Sequence, residues 1–268
     1  MRAALLTEYR KIVTTRLWWI LLGSMFIYLL GIGAAMAWSF SLSNATGGAG
    51  GNGFPLVGID LAAVVYSIGV TIGSVFPLVV GTLSVTSEFR SQTITPTFLA
   101  EPRRGVVLAA KFIANAVMGA LFGIVATVAA AGGAAALFKL RGDPTFLGDP
   151  EIQRILIGSV VALTLWALMG VAFGAVLPNQ IAAVVVILGF TQLLEPVLRL
   201  ILGAVKATEG VAPYFPGAAA DAIVGRSIYT VGSSVHLLSR PAGLAVMLGY
   251  VLVLGVIGRF TTFRRDIT

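Results

Sequence analysis

Side chains able to do chemistry are scarce in this chain, and their positions are its first information. There is no cysteine and one histidine, His236, so no thiolate metal site and no His-based cluster or relay can form. No stretch matches G-x-x-x-x-G-K-[ST], the loop that cradles nucleotide phosphates. Three groups remain. Glu195 and Arg199 stand four residues apart beside Pro196, at the end of a charge-free run, a spacing that allows an ion pair on a helix. Ionisable residues at membrane depth are functional candidates by default. Gln192 lies one turn before them. Ser67, Thr71 and Ser74 recur at steps of four and three, making one polar stripe on a helix. Its plainer use is hydrogen bonding between helices or back to the helix's own carbonyls; its sharper use is one wall of a solute path. The third group is Ser87 to Lys111, which packs Glu88, Glu101, Arg90, Arg103, Arg104 and Lys111 between two apolar runs.

The middle of that third stretch is amphipathic. Ile94 and Phe98 are four apart and share a helix face, followed by Leu99. Pro96 belongs in a first turn, so the spacing predicts a short helix starting near Thr95–Pro96. The order Glu88-Phe89-Arg90, Ser91-x-Thr93-Ile94, Phe98-Leu99, Pro102-Arg103-Arg104, then Lys111 in the next apolar run, resembles the first cytoplasmic loop of ABC-2-type transporter permeases. Pro96 departs from that pattern. The resemblance covers about 25 residues, and the hydropathy layout agrees along the chain. It implies a coupling helix that docks into a separate ATPase, with Glu88, Arg90, Thr93, Ile94, Phe98, Leu99 and Arg103 at the contact. It further implies a second permease chain, identical or homologous, with ATP and magnesium on the ATPase partner and no cofactor on this chain. Ser67, Thr71, Ser74, Gln192, Glu195 and Arg199 are the candidates for the path or its gate.

Composition gives the class. Of 268 residues, 57% are hydrophobic and 11% charged, with mean hydropathy +0.96. Soluble domains carry about 25% charged residues, so the chain reads as an all-α polytopic membrane protein, a single transmembrane domain over residues 1–268. Residues 1–16 form an interfacial amphipathic helix. Ala35-Met36-Ala37 resembles a signal cleavage site, but the preceding apolar run is too long for a signal core, so a retained first span is expected. The spans are 17–39, 61–86, 106–138, 155–177, 181–202 and 241–259. Residues 41–60 form a loop containing the sequon Asn44-Ala45-Thr46, and 87–105 form the coupling loop. A kink is expected at Pro77. Gly119-x-x-x-Gly123 and Gly170-x-x-x-Gly174 permit close helix approach. Lys139 to Arg154 is a mixed-charge loop, and Pro178-Asn179-Gln180 a tight hairpin. From Ile181 to Leu194 an α-helix reaches about 21 Å, short of the ~30 Å hydrocarbon core, so the fifth span continues through Glu195 and Arg199. Residues 203–240 are an outer or re-entrant element with a short helix over Ala218 to Tyr229.

Charge sets the orientation. With both termini in the cytoplasm, the inner pieces carry eleven bases against four acids, which is the whole net charge of +7. The outer pieces hold seven of each. This is the positive-inside bias, and it sets the orientation; the resemblance implies a bacterial plasma membrane. The basic excess therefore faces anionic lipid, and no nucleic-acid partner is needed to explain it. The expected function is the permease subunit of an ATP-driven exporter of a hydrophobic or amphipathic solute: a drug, a lipid-like molecule or a peptide. A secondary carrier or a non-transporting anchor is the alternative, although internal repeats and intramembrane charge are nearly absent. An intramembrane enzyme is less favoured, because the spans hold no nucleophile–base pair and no metal-ligand set.

Overall fold

A computed structural model describes residues 2–45, 58–204, 210–230 and 237–263. Among them the secondary structure is helical, without a strand. Six helical segments are long and apolar enough to cross a membrane. The elements are α1 (Arg2–Thr14), α2 (Leu17–Ala45), α3 (Ile59–Gly73), α4 (Val75–Arg90), α5 (Ile94–Ala100), α6 (Arg104–Arg141), α7 (Pro150–Val176), α8 (Gln180–Leu188), a π-helical turn (Gly189–Leu194), α9 (Glu195–Ala204), α10 (Pro216–Val224) and α11 (Arg240–Thr261).

Several boundaries move from those expected. The first span runs on to Ala45, so the expected loop at 41–60 is helical at its start and again from Ile59; its middle and Thr46 lie outside the described residues, as does His236. Ala37 is fully buried within α2. The second span is interrupted at Ser74, one turn before Pro77, with Ser74 itself keeping helical dihedrals. The cause is still the proline: without an N–H it leaves the Gly73 carbonyl unserved, and the break opens one turn upstream. The mixed-charge loop shrinks to residues 142–149. Asp149 caps α7 by accepting from Glu151 N at 2.7 Å, with Pro150 in the first turn, so Glu151 and Arg154 are helical.

The bundle packs through small residues. A Cβ at Gly170 would meet the Leu78 carbonyl and lie 2.8 Å from Thr82 N, so α7 crosses α4 backbone to backbone. Gly119 and Gly123 do the same for α6 against α7, where a Cβ would stand 2.7 Å from Ala167 and 2.9 Å from the Val160 carbonyl. Both small-xxx-small motifs thus lie at helix crossings, as expected. Large apolar side chains such as Ile27, Val117, Val185, Leu200 and Val253 point outward instead. Such an apolar exterior is compatible with a multi-pass membrane protein.

Candidate functional site

Polar groups gather at the two opposite ends of the bundle. At one end, α5 sits between α4 and α6, and α1 packs beside them. Glu88 closes α4 and is 5% exposed. Lys111, two turns into α6, is fully buried. A lysine there is tolerable only with partners on every side, and it has them. Its Nζ donates to Glu88 Oε1, to Glu8 Oε2 at 3.1 Å and to the Ser84 carbonyl at 2.9 Å. Lys11 of α1 donates to Glu8 at 2.9 Å and to Glu88 at 2.8 Å. Two ammoniums and two carboxylates therefore form one neutral cluster joining α1, α4 and α6. Burial works against the Lys11 ammonium, but the bonds and charge of Glu88 and then Glu8 outweigh it and hold its pKa above the ordinary lysine value. Lys11 also reaches Thr97 of α5 at 3.4 Å. A cavity of about 340 Å³ opens beside the cluster, with Asn115, Trp18 and Thr15 in its wall.

The short helix itself is held by aromatic contacts. It starts at Ile94, a little earlier than expected, with Pro96 still in its first turn, where a missing N–H leaves no bond unmade. The α4–α5 turn is closed by Thr93 N donating to the Glu88 carbonyl at 3.0 Å, with Gln92 in the left-handed region at φ 56°. Phe98 packs edge-on against Phe263 at 5.7 Å, and Phe89 meets the same ring at 6.1 Å. The Arg104 guanidinium stands over Phe98 at 5.1 Å. So the expected contact residues divide. Glu88 and Ile94 are buried, not displayed, and Phe98 is half-buried; each is occupied within the chain. Arg90, Thr93, Leu99 and Arg103 are exposed, Leu99 at 79%. Arg90 donates to Gln180 at 3.3 Å and Arg103 pairs with Glu101 at 2.9 Å. Glu8, Lys11 and Lys111 were not among the expected site residues. The signal for Lys111 was its place seven residues inside an apolar run; nothing local singles out Glu8.

At the other end, Glu195 and Arg199 are 1% and 4% exposed, yet their bonds are not to each other. Glu195 Oε1 accepts from Gly217 N at 2.6 Å and Ala218 N at 3.2 Å, which places its carboxylate on the N-terminus of α10. The free N–H groups of that first turn and the helix dipole favour an anion there. Arg199 instead donates to Asp221 of α10 at 2.7 Å, and Ser227 donates to the same Asp221 oxygen at 2.6 Å. The expected pair is thus replaced by two cross-links from the fifth span to α10. The i, i+4 spacing permits a pair, but α10 offers each side chain a better-placed partner. Burial lifts the Asp221 carboxyl above the usual aspartate range, against the pull of Arg199 and Ser227. Glu195 Oε2 and Arg199 Nε keep no partner among the described residues.

The fifth span is built to deliver these groups. Over Gly189–Leu194 it widens to a π-helix, with Glu195 N donating to the Phe190 carbonyl five residues back. Thr191 Oγ1 serves the Ile187 carbonyl at 2.8 Å. The inserted residue and Pro196 turn Glu195 and Arg199 inward, a common use of π turns. Between them lies a cavity of about 30 Å³, room for one or two waters, whose wall includes Thr71, Ser74, Gln192, Glu195, Arg199 and Asp221. Five of the six expected path residues therefore meet at one cavity. Ser67 does not; it bonds back to the Val64 carbonyl at 2.8 Å, the plainer reading of that stripe. Asp221 was missed, although an acid in the middle of an apolar short helix was its signal. Among the described residues no group of His, Asp and Glu could hold a metal ion. No family model and no curated protein matches the chain.

Proposed function

We propose that this chain is the membrane-spanning permease subunit of an ATP-driven exporter of the ABC-2 type. One observation carries the reading: a short helix between two spans displays Leu99 at 79% exposure while its other side is tied into the bundle. An apolar side chain left in a polar loop is explained by a partner that covers it. The remaining contacts of α5, with the charge cluster beside it, link it to neighbours that a push would have to move. Phe98 and Arg104 connect to α6 and to Phe263 beyond α11, Thr97 connects to Lys11 of α1, and the Lys111–Glu88 pair joins α6 to α4. In this reading α1 lies along the cytoplasmic membrane surface, α5 is the coupling helix, and α10 closes the outer end. A separate ATPase binds the inward and outward states with different free energies, which is the only way ATP can drive exchange between them. A hydrophobic or amphipathic solute then leaves past Thr71, Ser74, Gln192 and Glu195.

The test is reconstitution with the cognate ATPase and measurement of complex formation and solute-stimulated ATP hydrolysis. Leu99→Asp should leave thermal stability unchanged and weaken the complex about tenfold to a hundredfold, as expected for an interface anchor at 1–3 kcal/mol. Equal complex formation by wild type and variant would sink the docking role of α5.

A further inference from the structure

Three guanidiniums crowd one helix start. Arg103 precedes α6, Arg104 is its first residue, and Arg259 leans over Gly105 from the last turn of α11. Gly105 allows this approach: a Cβ there would lie 3.3 Å from Arg259 Cζ. A helix N-terminus carries a partial positive charge and unserved N–H groups, so it is the wrong place to collect cations unless an anion joins them. Arg103 is partly compensated by Glu101 at 2.9 Å. Arg104 is positioned by the Phe263 carbonyl at 2.7 Å. Arg259 has no acidic partner among the described residues.

Below the arginines runs a groove of about 800 Å³ between α6 and α11, walled by Val106, Ala109, Phe260 and Phe263. Both helices leave it with exposed apolar side chains, Ile113 and Val117 on α6, Val256 and Ile257 on α11. The basic mouth is therefore continuous with a surface suited to hydrocarbon. A charged head over an apolar groove, at the end of two membrane-length helices, is complementary to one class of ligand.

We infer that this groove binds an anionic phospholipid, with its phosphate on Arg259 and Arg103 and an acyl chain along Ala109 and Phe260. The inference concerns binding alone and stands without the exporter reading. A lipid held there bridges the start of α6 to the end of α11, next to the Phe98–Phe263 contact that positions α5.

The experiment is native mass spectrometry of the purified chain released from phosphatidylcholine nanodiscs doped with phosphatidylglycerol, with inorganic phosphate as a competitor. Wild type should retain phosphatidylglycerol over phosphatidylcholine. Arg259→Gln should lower that retention about tenfold, Arg259→Lys should fall between, and Ala109→Trp should abolish it by plugging the groove while the charges stay. Phosphate at millimolar concentration should not displace the lipid. Equal retention of the two lipids by wild type, or unchanged retention in both Arg259→Gln and Ala109→Trp, overturns the site. Full displacement by phosphate overturns its lipid character. A change in oligomeric state with no change in lipid would assign the groove to a second copy of the chain instead. Thermal unfolding of each variant confirms that loss of lipid is not loss of fold, since Arg259 is exposed and Ala109 only partly buried.

Discussion

At the residue scale, the decisive groups are charges buried with partners. Lys111 is the clearest case: fully buried, it serves Glu8, Glu88 and the Ser84 carbonyl at once. Lys111→Met should therefore destabilise the protein by about 3–5 kcal/mol, because Lys11 alone remains for two carboxylates. Adding Glu88→Gln should recover part of the loss, as seen by thermal unfolding in nanodiscs; no recovery would mean that packing, not charge, holds the site. The same logic separates Glu195 from Arg199. Arg199→Gln and Asp221→Asn should each harm stability, and the double change should restore much of it. Glu195→Gln should be milder, about 1 kcal/mol, because an amide oxygen still accepts from Gly217 and Ala218 and only the charge at the helix start is lost. A double-mutant cycle showing stronger coupling of Arg199 to Glu195 than to Asp221 would contradict this assignment. Sequence spacing singled out Glu195 and Arg199 but gave the wrong bond, since i, i+4 arithmetic describes one helix and the partner stands on another. Glu8 was illegible for the same reason: its role exists only once α1 packs against α6.

At the element scale, regular signals were legible and irregular ones were not. Long apolar runs gave the spans because each must satisfy its backbone internally, and the Gly-x-x-x-Gly pairs gave the crossings because only a missing Cβ lets two backbones touch. Gly170→Leu should thus separate α4 from α7 and lower stability by several kcal/mol, while Gly132→Leu, which meets nothing within 4 Å, should be near neutral. Equal effects at the two positions would remove the packing argument. The proline in the second span was read, but the break appeared at Ser74 because Pro77 disturbs the turn before itself. The π turn had no sequence signal beyond the proline that follows it. Yet it sets the aim of Glu195 and Arg199, and through them the position of α10. Pro196→Ala tests how far it depends on the proline: the variant should let α9 straighten and weaken the α10 cross-links, seen as faster hydrogen exchange over 216–224. Unchanged protection there would show that packing alone fixes α10.

At the scale of the whole molecule, the arrangement is polar at both ends and apolar around the waist. The α5 end holds the neutral four-charge cluster and the arginine groove, and the α10 end holds the acid–base pairs Asp60–Arg226 at 2.6 Å and Glu151–Arg240 at 2.7 Å. At that second end seven acids stand against seven bases in the sequence, whereas the net +7 collects toward the first. Membrane insertion reads this asymmetry through Lys and Arg near the ends of the spans, so the α5 end should face the cytoplasm. Single cysteines can report it, because the chain has none of its own. Gln92 is exposed in the α4–α5 turn, and Leu147 is 40% exposed between α6 and α7, at the opposite end. In intact cells, Leu147→Cys should react with a membrane-impermeant maleimide and Gln92→Cys should not, until the membrane is permeabilised. The reverse pattern would turn the molecule over. It would place Leu99 on the outer surface, out of reach of any ATPase, and remove the exporter reading while leaving the helical bundle, both polar sites and the lipid groove as they stand.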